Sequence, residues 1–127
     1  MRALGIDVGT TAVKALLLDE EARVVAEASQ PHDLSSPHPG WAEEDPADWW
    51  AGVRAALGKL FEREDPSQVA AVAVSGMVPA LVLLDGAGNV LRPSIQQNDA
   101  RHAEEIDWFR AHFPEDVLFA HTGATWN

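Results

Sequence analysis

The sequence predicts an α/β fold with a mixed β-sheet and flanking helices. Three observations indicate this class: short apolar runs separated by turns open the chain, one amphipathic helical segment follows them, and further apolar runs come after that helix. Three strands in meander order before any helix do not fit the opening of a doubly wound parallel sheet. The order of elements therefore favours a layered fold in which the sheet is mixed.

The opening segment is expected to form three consecutive strands. They are predicted over Ala3–Val8, Val13–Leu18 and Val24–Ala28, with a GTT turn and then a charged turn between them. Residues 30–45, QPHDLSSPHPGWAEED, contain three prolines and show neither strand nor helix periodicity. We expect this segment to be the longest loop of the chain.

A helix is predicted over about residues 46–64. Asp45 is suited to the N-cap and Pro46 to the first helical position. Apolar residues then recur at helical spacing, at Trp49, Val53, Ala56, Leu57, Leu60 and Phe61. Either Trp49 or Trp50 is therefore expected in the core.

The second half of the chain is expected to add strands and one more helix. Val69–Val74 is predicted as a buried strand, and Leu81–Asp85 and Leu91–Ile95 as a strand pair joined by the DGAGNV turn. A second helix is expected over about residues 100–113. Its inner face should consist of Ile106, Phe109 and Phe113. Residues 114–127, PEDVLFAHTGATWN, show no clear preference.

Charge and composition restrict the partners. The 127 residues include 9 Lys and Arg against 20 Asp and Glu, a net charge of −11, which disfavours binding to nucleic acid or anionic membranes. The absence of cysteine excludes disulfides and thiolate metal sites. No apolar run approaches the ~20 residues of a membrane-spanning helix and no signal peptide is apparent. We expect a cytoplasmic protein of one domain, or one piece of a larger protein.

The stretch GIDVGTTAVK carries the chemistry of a phosphate-binding hairpin. Asp7 at a strand end can hold Mg²⁺ through water, and the Gly9 turn lets backbone N–H groups approach an anion. The hydroxyls of Thr10 and Thr11 can donate to phosphate oxygens, and Lys14 adds a cation if strand alternation turns it to the same side. The alternative is an ordinary hairpin turn, but an unpaired Asp7 inside an apolar run would be costly. The spacing matches neither GxGxxG nor the P-loop.

Four segments follow one another in a telling order: GIDVGTTAVKALLLD, HPGWAEEDPADWW, VAAVAVSGMVPALVLLDGAGNVLRPSI and NDAR. The first resembles the first phosphate motif of the actin, hexokinase and heat-shock chaperone ATPase superfamily, and most closely that of the FGGY carbohydrate kinases, such as the xylulokinase-like sequences. The other three resemble, in the same order, that family's PGWAEQDP-type loop and helix, its strand pair with an SGQMHG-type sugar loop, and its WNDxR-type segment. The resemblance spans Leu4 to Arg101 and fades after that.

The resemblance implies a ribonuclease H-like domain over residues 1–127. Such a domain is the N-terminal lobe of a two-lobed kinase that transfers the γ-phosphoryl group of ATP to a sugar or polyol hydroxyl. A catalytic role in positioning Mg²⁺ is implied for Asp7. The residues implied to contact the ATP phosphates are Gly9, Thr10, Thr11 and Lys14.

The same resemblance places the sugar over the loop of residues 75–80 and near the NDAR segment. The residues expected to bind it are Met77, Val78, Pro79, Asn98, Asp99 and Arg101. NDAR offers an amide, a carboxylate and a guanidinium, which hydrogen-bond polyols. An alternative for Asp99 is the N-cap of the second helix, which is compatible with sugar binding. Trp41 is a further candidate for the pocket wall.

Some positions depart from the family pattern. Val78 and Pro79 stand where the sugar loop of xylulokinase-like sequences has Met and His, and Gln97 replaces the usual aromatic residue before Asn-Asp. These changes leave open an acceptor other than xylulose. The five histidines show no metal-ligand spacing, and we expect most of them at the surface.

Length is the larger departure. In this family the catalytic base, the adenosine pocket and the second phosphate motif lie beyond residue 127, so a truncated lobe that is inactive alone is expected. Its exposed interface should favour self-association, for example as a homodimer. The alternative is a non-catalytic ribonuclease H-like module that binds a sugar or a partner. A third hypothesis, a nuclease of the ribonuclease H type, lacks the several converging acids that two metals require.

Overall fold

The computed structural model describes residues 1–125 and has the predicted α/β architecture. The strands are Arg2–Val8 (β1), Ala12–Leu18 (β2), Val24–Pro31 (β3), Glu43–Glu44 (β4), Val69–Gly76 (β5) and Ser94–Ile95 (β6). The helices are Pro46–Phe61 (α1), Ala103–His112 (α2) and Glu115–Thr122 (α3). In the described part of the chain, no helix is long and apolar enough to cross a membrane. The last two residues of the predicted domain, 126 and 127, lie outside the described residues.

The main sheet is mixed, as predicted. Its strand order is β3-β2-β1-β5, in which β1 and β3 pair antiparallel with β2, and β5 pairs parallel with β1. Tight connections produce the antiparallel meander, whereas α1 carries the chain back so that β5 can run parallel to β1. The carboxyl ends of β1 and β5 therefore meet at one edge of the sheet. β3 continues to Pro31, past its predicted end at Ala28.

Helix α1 begins where its sequence signals place it. The Asp45 side chain accepts a 2.8 Å hydrogen bond from the N–H of Ala47, and Pro46 is the first helical residue. The helix ends at Phe61, earlier than predicted. A 3₁₀ turn that begins with Pro66 follows closely, and proline disfavours helical conformation in the residue before it.

The core lies between α1 and one face of the sheet. Its buried residues are Leu4, Val13, Ala15, Leu17, Ala56 and Leu60. β2 contributes by strand alternation, because every second side chain from Val13 to Leu17 is buried and those between are exposed. The helix approaches closely at Gly52, where an added Cβ would lie 2.9 Å from Cγ2 of Val13. A larger residue at position 52 would push α1 away from β2.

β5 extends beyond the cover of α1. Val72 and Val74 pair with Leu4 and Ile6 in the ladder and so share their face of the sheet, but they are 59% and 70% exposed. The predicted strand is confirmed, whereas its predicted burial is wrong. β5 is the edge strand of the main sheet, and α1 lies over β2 and β3 rather than over this edge.

Helices α2 and α3 leave their apolar side chains exposed. Neither contains a buried residue. Of the predicted inner face of α2, Ile106 is half-buried, while Phe109 and Phe113 are 43% and 44% exposed. The prediction of a buried inner face is therefore wrong. The rings of Phe109 and Phe113 contact each other instead, with centroids 5.5 Å apart.

The predicted strand pair over residues 81–95 is an irregular hairpin. Isolated bridges join Leu81 to Ile95 and Leu84 to Val90. The expected turn is present, and the Asp85 carboxylate accepts hydrogen bonds from the backbone within it. β6 forms its regular pairing with β4, so the predicted loop of residues 30–45 contains a short strand. Pro93 lacks the N–H that a regular ladder would need.

Candidate active site

The turn between β1 and β2 closes tightly at Gly9. The Gly9 N–H donates a 3.1 Å hydrogen bond to the Ala12 carbonyl. An added Cβ at Gly9 would lie 3.2 Å from the same oxygen, so a side chain here would strain the turn. Thr10 and Thr11 are exposed at its tip. The turn therefore leaves both hydroxyl-bearing residues accessible to a ligand.

Asp7 lies on the face of the sheet opposite α1, which we call the open face. It pairs directly with Lys14 on β2 and with Ser75 on β5. Direct partners share a face of the sheet, so Lys14 is on the same side as Asp7. Ser75 Oγ donates a 2.7 Å hydrogen bond to Oδ1 of Asp7. The three side chains lie together at the carboxyl ends of β1 and β5, the edge at which α/β sheets bind ligands.

The oxygen donors at Asp7 fit a hydrated Mg²⁺ rather than an all-protein metal cage. Asp7 is exposed, and its Oδ2 faces the turn, 3.5 Å from the position of an added Cβ at Gly9. Among residues 1–125, no group of three or more His, Asp or Glu side chains is arranged to hold a metal ion. Mg²⁺ typically binds one or two carboxylates together with substrate phosphates and water, which is the mode these residues fit.

The loop after β5 reaches the same edge. The Met77 N–H donates a 3.1 Å hydrogen bond to the Val8 carbonyl, which ties the loop to the end of β1. Met77 is half-buried, Val78 is 81% exposed and Pro79 is exposed, and the peptide bond between Val78 and Pro79 is cis. The loop therefore presents accessible side chains beside the end of β1.

The NDAR segment folds around the buried side chain of Asp99. Its Oδ2 accepts hydrogen bonds from the N–H of Ala42 at 2.7 Å and from Nη2 of Arg101 at 2.6 Å, and its Oδ1 accepts from Nε of Arg101 at 2.8 Å. Hydrogen bonding to the guanidinium, with a smaller contribution from the Ala42 N–H, holds the pKa of the Asp99 carboxyl well below its usual range. The same pair raises the pKa of Arg101. The N-cap role considered for Asp99 is wrong, because α2 begins at Ala103 with His102 as its N-cap.

Arg101 joins this segment to the loop before α1. Its Nη1 donates to Oε1 of Glu43 at 2.8 Å, and its Cζ lies 3.7 Å from the ring centroid of Trp41. Arg92 donates to the same Glu43 oxygen at 2.6 Å, and hydrogen bonding to Arg101 lowers the pKa of Glu43. Arg101 thus covers one face of Trp41, and all three of its guanidinium nitrogens donate hydrogen bonds within the protein. Asn98, by contrast, is exposed. We call Glu43, Arg92, Asp99 and Arg101 the clamp.

The prediction that either Trp49 or Trp50 lies in the core is wrong, whereas most histidines are at the surface as predicted. Trp49 is half-buried and its Nε1 donates a 2.5 Å hydrogen bond to Oε2 of Glu44, whereas Trp50 is 64% exposed. Four histidines are at the surface. His32 is the exception, because its side chain is 4% exposed and its Nε2 lies 2.9 Å from the Gly9 carbonyl oxygen.

Sequence reasoning placed Ser75 in the sugar loop of residues 75–80 without its contact to Asp7, and it did not identify His32 or Glu44 as parts of this site. Ser75 had a usable signal, since it is the first hydroxyl after the apolar run of β5 and strand ends carry ligand-binding groups. His32 had none. Its place beside the turn depends on β3 extending past Ala28, which the proline-containing sequence did not indicate.

Comparison with known proteins identifies related sequences along the chain. Residues 2–127 match the family model described as FGGY family of carbohydrate kinases, N-terminal domain. The xylulose kinase of Escherichia coli (strain K12) is 38% identical over 112 residues, which are 88% of this chain and 23% of that protein. That of Klebsiella pneumoniae is 41% identical over 102 residues, 80% of this chain and 21% of that protein. The chain thus spans less than a quarter of these relatives.

Solved structures share the fold. The crystal structure of xylulose kinase from Rhodospirillum rubrum matches with a TM-score of 0.94 and 46% identity, covering 100% of this chain and 26% of that one. Plasmodium falciparum glycerol kinase, solved with ADP, matches with a TM-score of 0.90 at 22% identity, covering 99% of this chain and 26% of that one. The predicted resemblance to the actin- and hexokinase-type fold is confirmed.

Proposed function

Because the chain belongs to the FGGY family of carbohydrate kinases, as its N-terminal domain, we propose that it forms the N-terminal lobe of an enzyme that transfers the γ-phosphoryl group of ATP to a sugar or polyol hydroxyl. Xylulose is the first candidate acceptor, since relatives that are 38% and 41% identical are named xylulose kinases. Val78 and Pro79, which replace the Met and His of the sugar loop, are the reason to test other sugars beside it.

The grouping of Asp7, Lys14 and Ser75 beside the Gly9 turn is the observation that carries this proposal. Phosphoryl transfer depends on positioning and charge neutralisation more than on covalent chemistry. An oriented carboxylate, an ammonium group on the same face and a tight turn with two threonines provide those functions for the terminal phosphates of a nucleotide. The threonine hydroxyls would donate to phosphate oxygens, and Lys14 would offset their charge.

Asp7 is the residue that would hold Mg²⁺, through water, together with the nucleotide phosphates. When bound, the ion would offset the negative charge that develops on the phosphate during transfer. The contribution of the chain itself is orientation. Ser75 restrains one carboxylate oxygen, and the other is left facing the turn.

The sugar side of the site combines accessible loop residues with the clamp behind them. The candidates for direct contact are Met77, Val78, Pro79 and Asn98. Asp99 and Arg101 were expected to bind the sugar, but their polar atoms are engaged with each other, with Glu43 and with the Ala42 N–H. We therefore propose that both residues act by holding the wall of the sugar site in place.

Coupled measurement of ADP release tests the proposed function. The complete protein that contains this domain is supplied with ATP, Mg²⁺ and a panel of pentuloses, aldoses and polyols, with a sugar-free reaction as control. We expect sugar-dependent ADP release, with xylulose among the accepted sugars. A non-catalytic module would bind sugar in titration calorimetry without releasing ADP, and that result would overturn the kinase proposal.

A further inference from the structure

His32 contacts both ends of the turn that joins β1 to β2, residues 9–11. It directly follows β3, its side chain is 4% exposed, and its Nε2 lies 2.9 Å from the Gly9 carbonyl oxygen. The backbone N–H of His32 donates a 3.1 Å hydrogen bond to the Thr11 carbonyl. A single residue therefore holds the turn through its side chain at Gly9 and through its main chain at Thr11.

The groups around the ring define where its protons lie. A carbonyl oxygen only accepts hydrogen bonds, so Nε2 of His32 carries a proton. Nδ1 has no hydrogen-bond partner among residues 1–125 and lies 3.7 Å from Oε2 of Glu44. Glu44 therefore faces the Nδ1 side of the ring, opposite the contact with the turn.

Glu44 is itself buried and fixed by α1. Its side chain is 1% exposed, its Oε2 accepts the 2.5 Å hydrogen bond from Trp49, and its Oε1 has no partner in the described part of the chain. A buried carboxylate without a compensating group is costly. Within the described residues, His32 is the side chain capable of positive charge that lies within ion-pair distance of Glu44.

We propose that His32 is a positioning residue for phosphate binding, which holds the Gly9 carbonyl through Nε2–H while Glu44 orients the ring through Nδ1. This inference rests on the proposed phosphate-binding role of the turn. In a planar trans peptide, the Gly9 carbonyl and the Thr10 N–H point in opposite directions. Fixing the carbonyl toward His32 therefore directs the Thr10 N–H away from the ring, as a donor on the outer side of the turn.

Imidazole nitrogen NMR tests this geometry without any assay of catalysis. A long-range ¹H–¹⁵N spectrum of the protein at neutral pH should show His32 with a protonated Nε2. Glu44→Gln should shift the Nδ1 resonance of His32 and leave that of His102, which is exposed, unchanged. An unprotonated Nε2 on His32, or an Nδ1 that does not respond to Glu44→Gln, would overturn the proposal.

Two substitutions separate the contacts of the ring. In His32→Gln, the side-chain amide nitrogen of Gln takes the place of Nε2 of the ring. In His32→Asn, the side-chain amide nitrogen of Asn takes the place of Nδ1. In the complete kinase, we expect His32→Asn to raise the KM for ATP about five- to tenfold, as the loss of one hydrogen bond would, with little change in the KM for sugar. His32→Gln should recover most of that loss, and His102→Asn should behave as wild type.

The outcomes distinguish failure of this inference from failure of the proposed function. Equal effects of His32→Asn and His32→Gln, or a wild-type KM for ATP in His32→Asn, would overturn the positioning role while the kinase proposal stands. If the wild-type protein releases no ADP with any sugar, the kinase proposal fails. The imidazole spectrum then still decides whether His32 holds the turn.

Discussion

Ser75 Oγ donates a 2.7 Å hydrogen bond to Oδ1 of Asp7, although the two residues are 68 positions apart in the chain. The contact exists because Asp7 and Ser75 are direct partners in the parallel ladder of β1 and β5. A hydroxyl that restrains one carboxylate oxygen fixes the direction of the other. The crossover through α1, which makes β5 parallel to β1, therefore brings the Ser75 hydroxyl to Asp7.

Removing this hydroxyl should impair turnover. We expect Ser75→Ala to lower the kcat of the complete kinase about tenfold, with smaller changes in KM, because a carboxylate that is not held in place is misaligned in the transition state. Ser67→Ala is a matched control, since its Oγ donates a 2.8 Å hydrogen bond to Asp65 before the start of β5. Steady-state kinetics with varied ATP measures both. Wild-type kcat in Ser75→Ala would show that the contact does not serve catalysis.

The loop after β5 should set the sugar preference. Restoring the xylulokinase-like pair, Val78→Met with Pro79→His, is expected to change the ranking of kcat/KM across a sugar panel and to leave the KM for ATP nearly unchanged. The reason is that Val78 and Pro79 are exposed in the loop that the Met77 N–H ties to the end of β1. Val90→Met, at an exposed position of the following hairpin, is the control. An unchanged sugar profile in the double variant would mean that the loop does not line the pocket.

The buried Asp99 carboxylate of the clamp should make the stability of the fold depend on pH. Hydrogen bonding to Arg101, and to a lesser degree to the Ala42 N–H, lowers the pKa of Asp99 below its ordinary value of 3.8. The unfolded chain then binds a proton more readily than the folded one, so the stabilisation is complete above about pH 5 and is lost progressively as the pH falls below it. Asp99→Asn should therefore lower the melting temperature at pH 7.

Melting curves of Asp99→Asn and wild type between pH 7 and pH 2 measure this effect. We expect the difference in melting temperature to be constant from pH 7 to about pH 5 and to shrink toward pH 2. Asp107→Asn is the control, since the Asp107 side chain is 80% exposed. A difference that stays the same or grows in acid would show that Asp99 does not stabilise the fold as a carboxylate.

The 127-residue chain alone should release no ADP and should self-associate. From the family resemblance, we expect the catalytic base and the adenosine pocket to lie outside these residues. Val72 and Val74 are 59% and 70% exposed on an edge strand, and exposed apolar patches commonly mark interfaces. Light scattering beside the ADP assay measures both properties, with Val72→Lys expected to reduce association. Sugar-dependent ADP release by this chain, or a strictly monomeric particle at high concentration, would contradict the prediction.

The parts of the fold with local signals were predictable. Asp45 and Pro46 mark the start of α1 because a cap and a first-turn proline act within a few residues. The GTT turn likewise identifies the hairpin, and strand alternation around it is what brings Lys14 to the side of Asp7. The hairpin half of the candidate site could therefore be derived from the sequence.

The remainder depends on contacts between distant segments. The pairing of Asp7 with Ser75 follows from a parallel register, and the clamp joins Glu43 to Arg101 across 58 positions. Neither leaves a local pattern. The burial of Val72 was overestimated for a related reason, since an apolar strand does not reveal whether another element covers it.

Turnover by Asp7→Ala, beside Glu27→Ala, is the most direct test of a catalytic site built on the β1–β2 hairpin. Glu27 is an exposed carboxylate on the neighbouring β3 and controls for the loss of negative charge from the sheet. We expect Asp7→Ala to lower sugar-dependent ADP release by orders of magnitude at an unchanged melting temperature, and Glu27→Ala to retain wild-type turnover. Near-normal kcat in a folded Asp7→Ala enzyme with Mg²⁺ and ATP would contradict the catalytic role of Asp7.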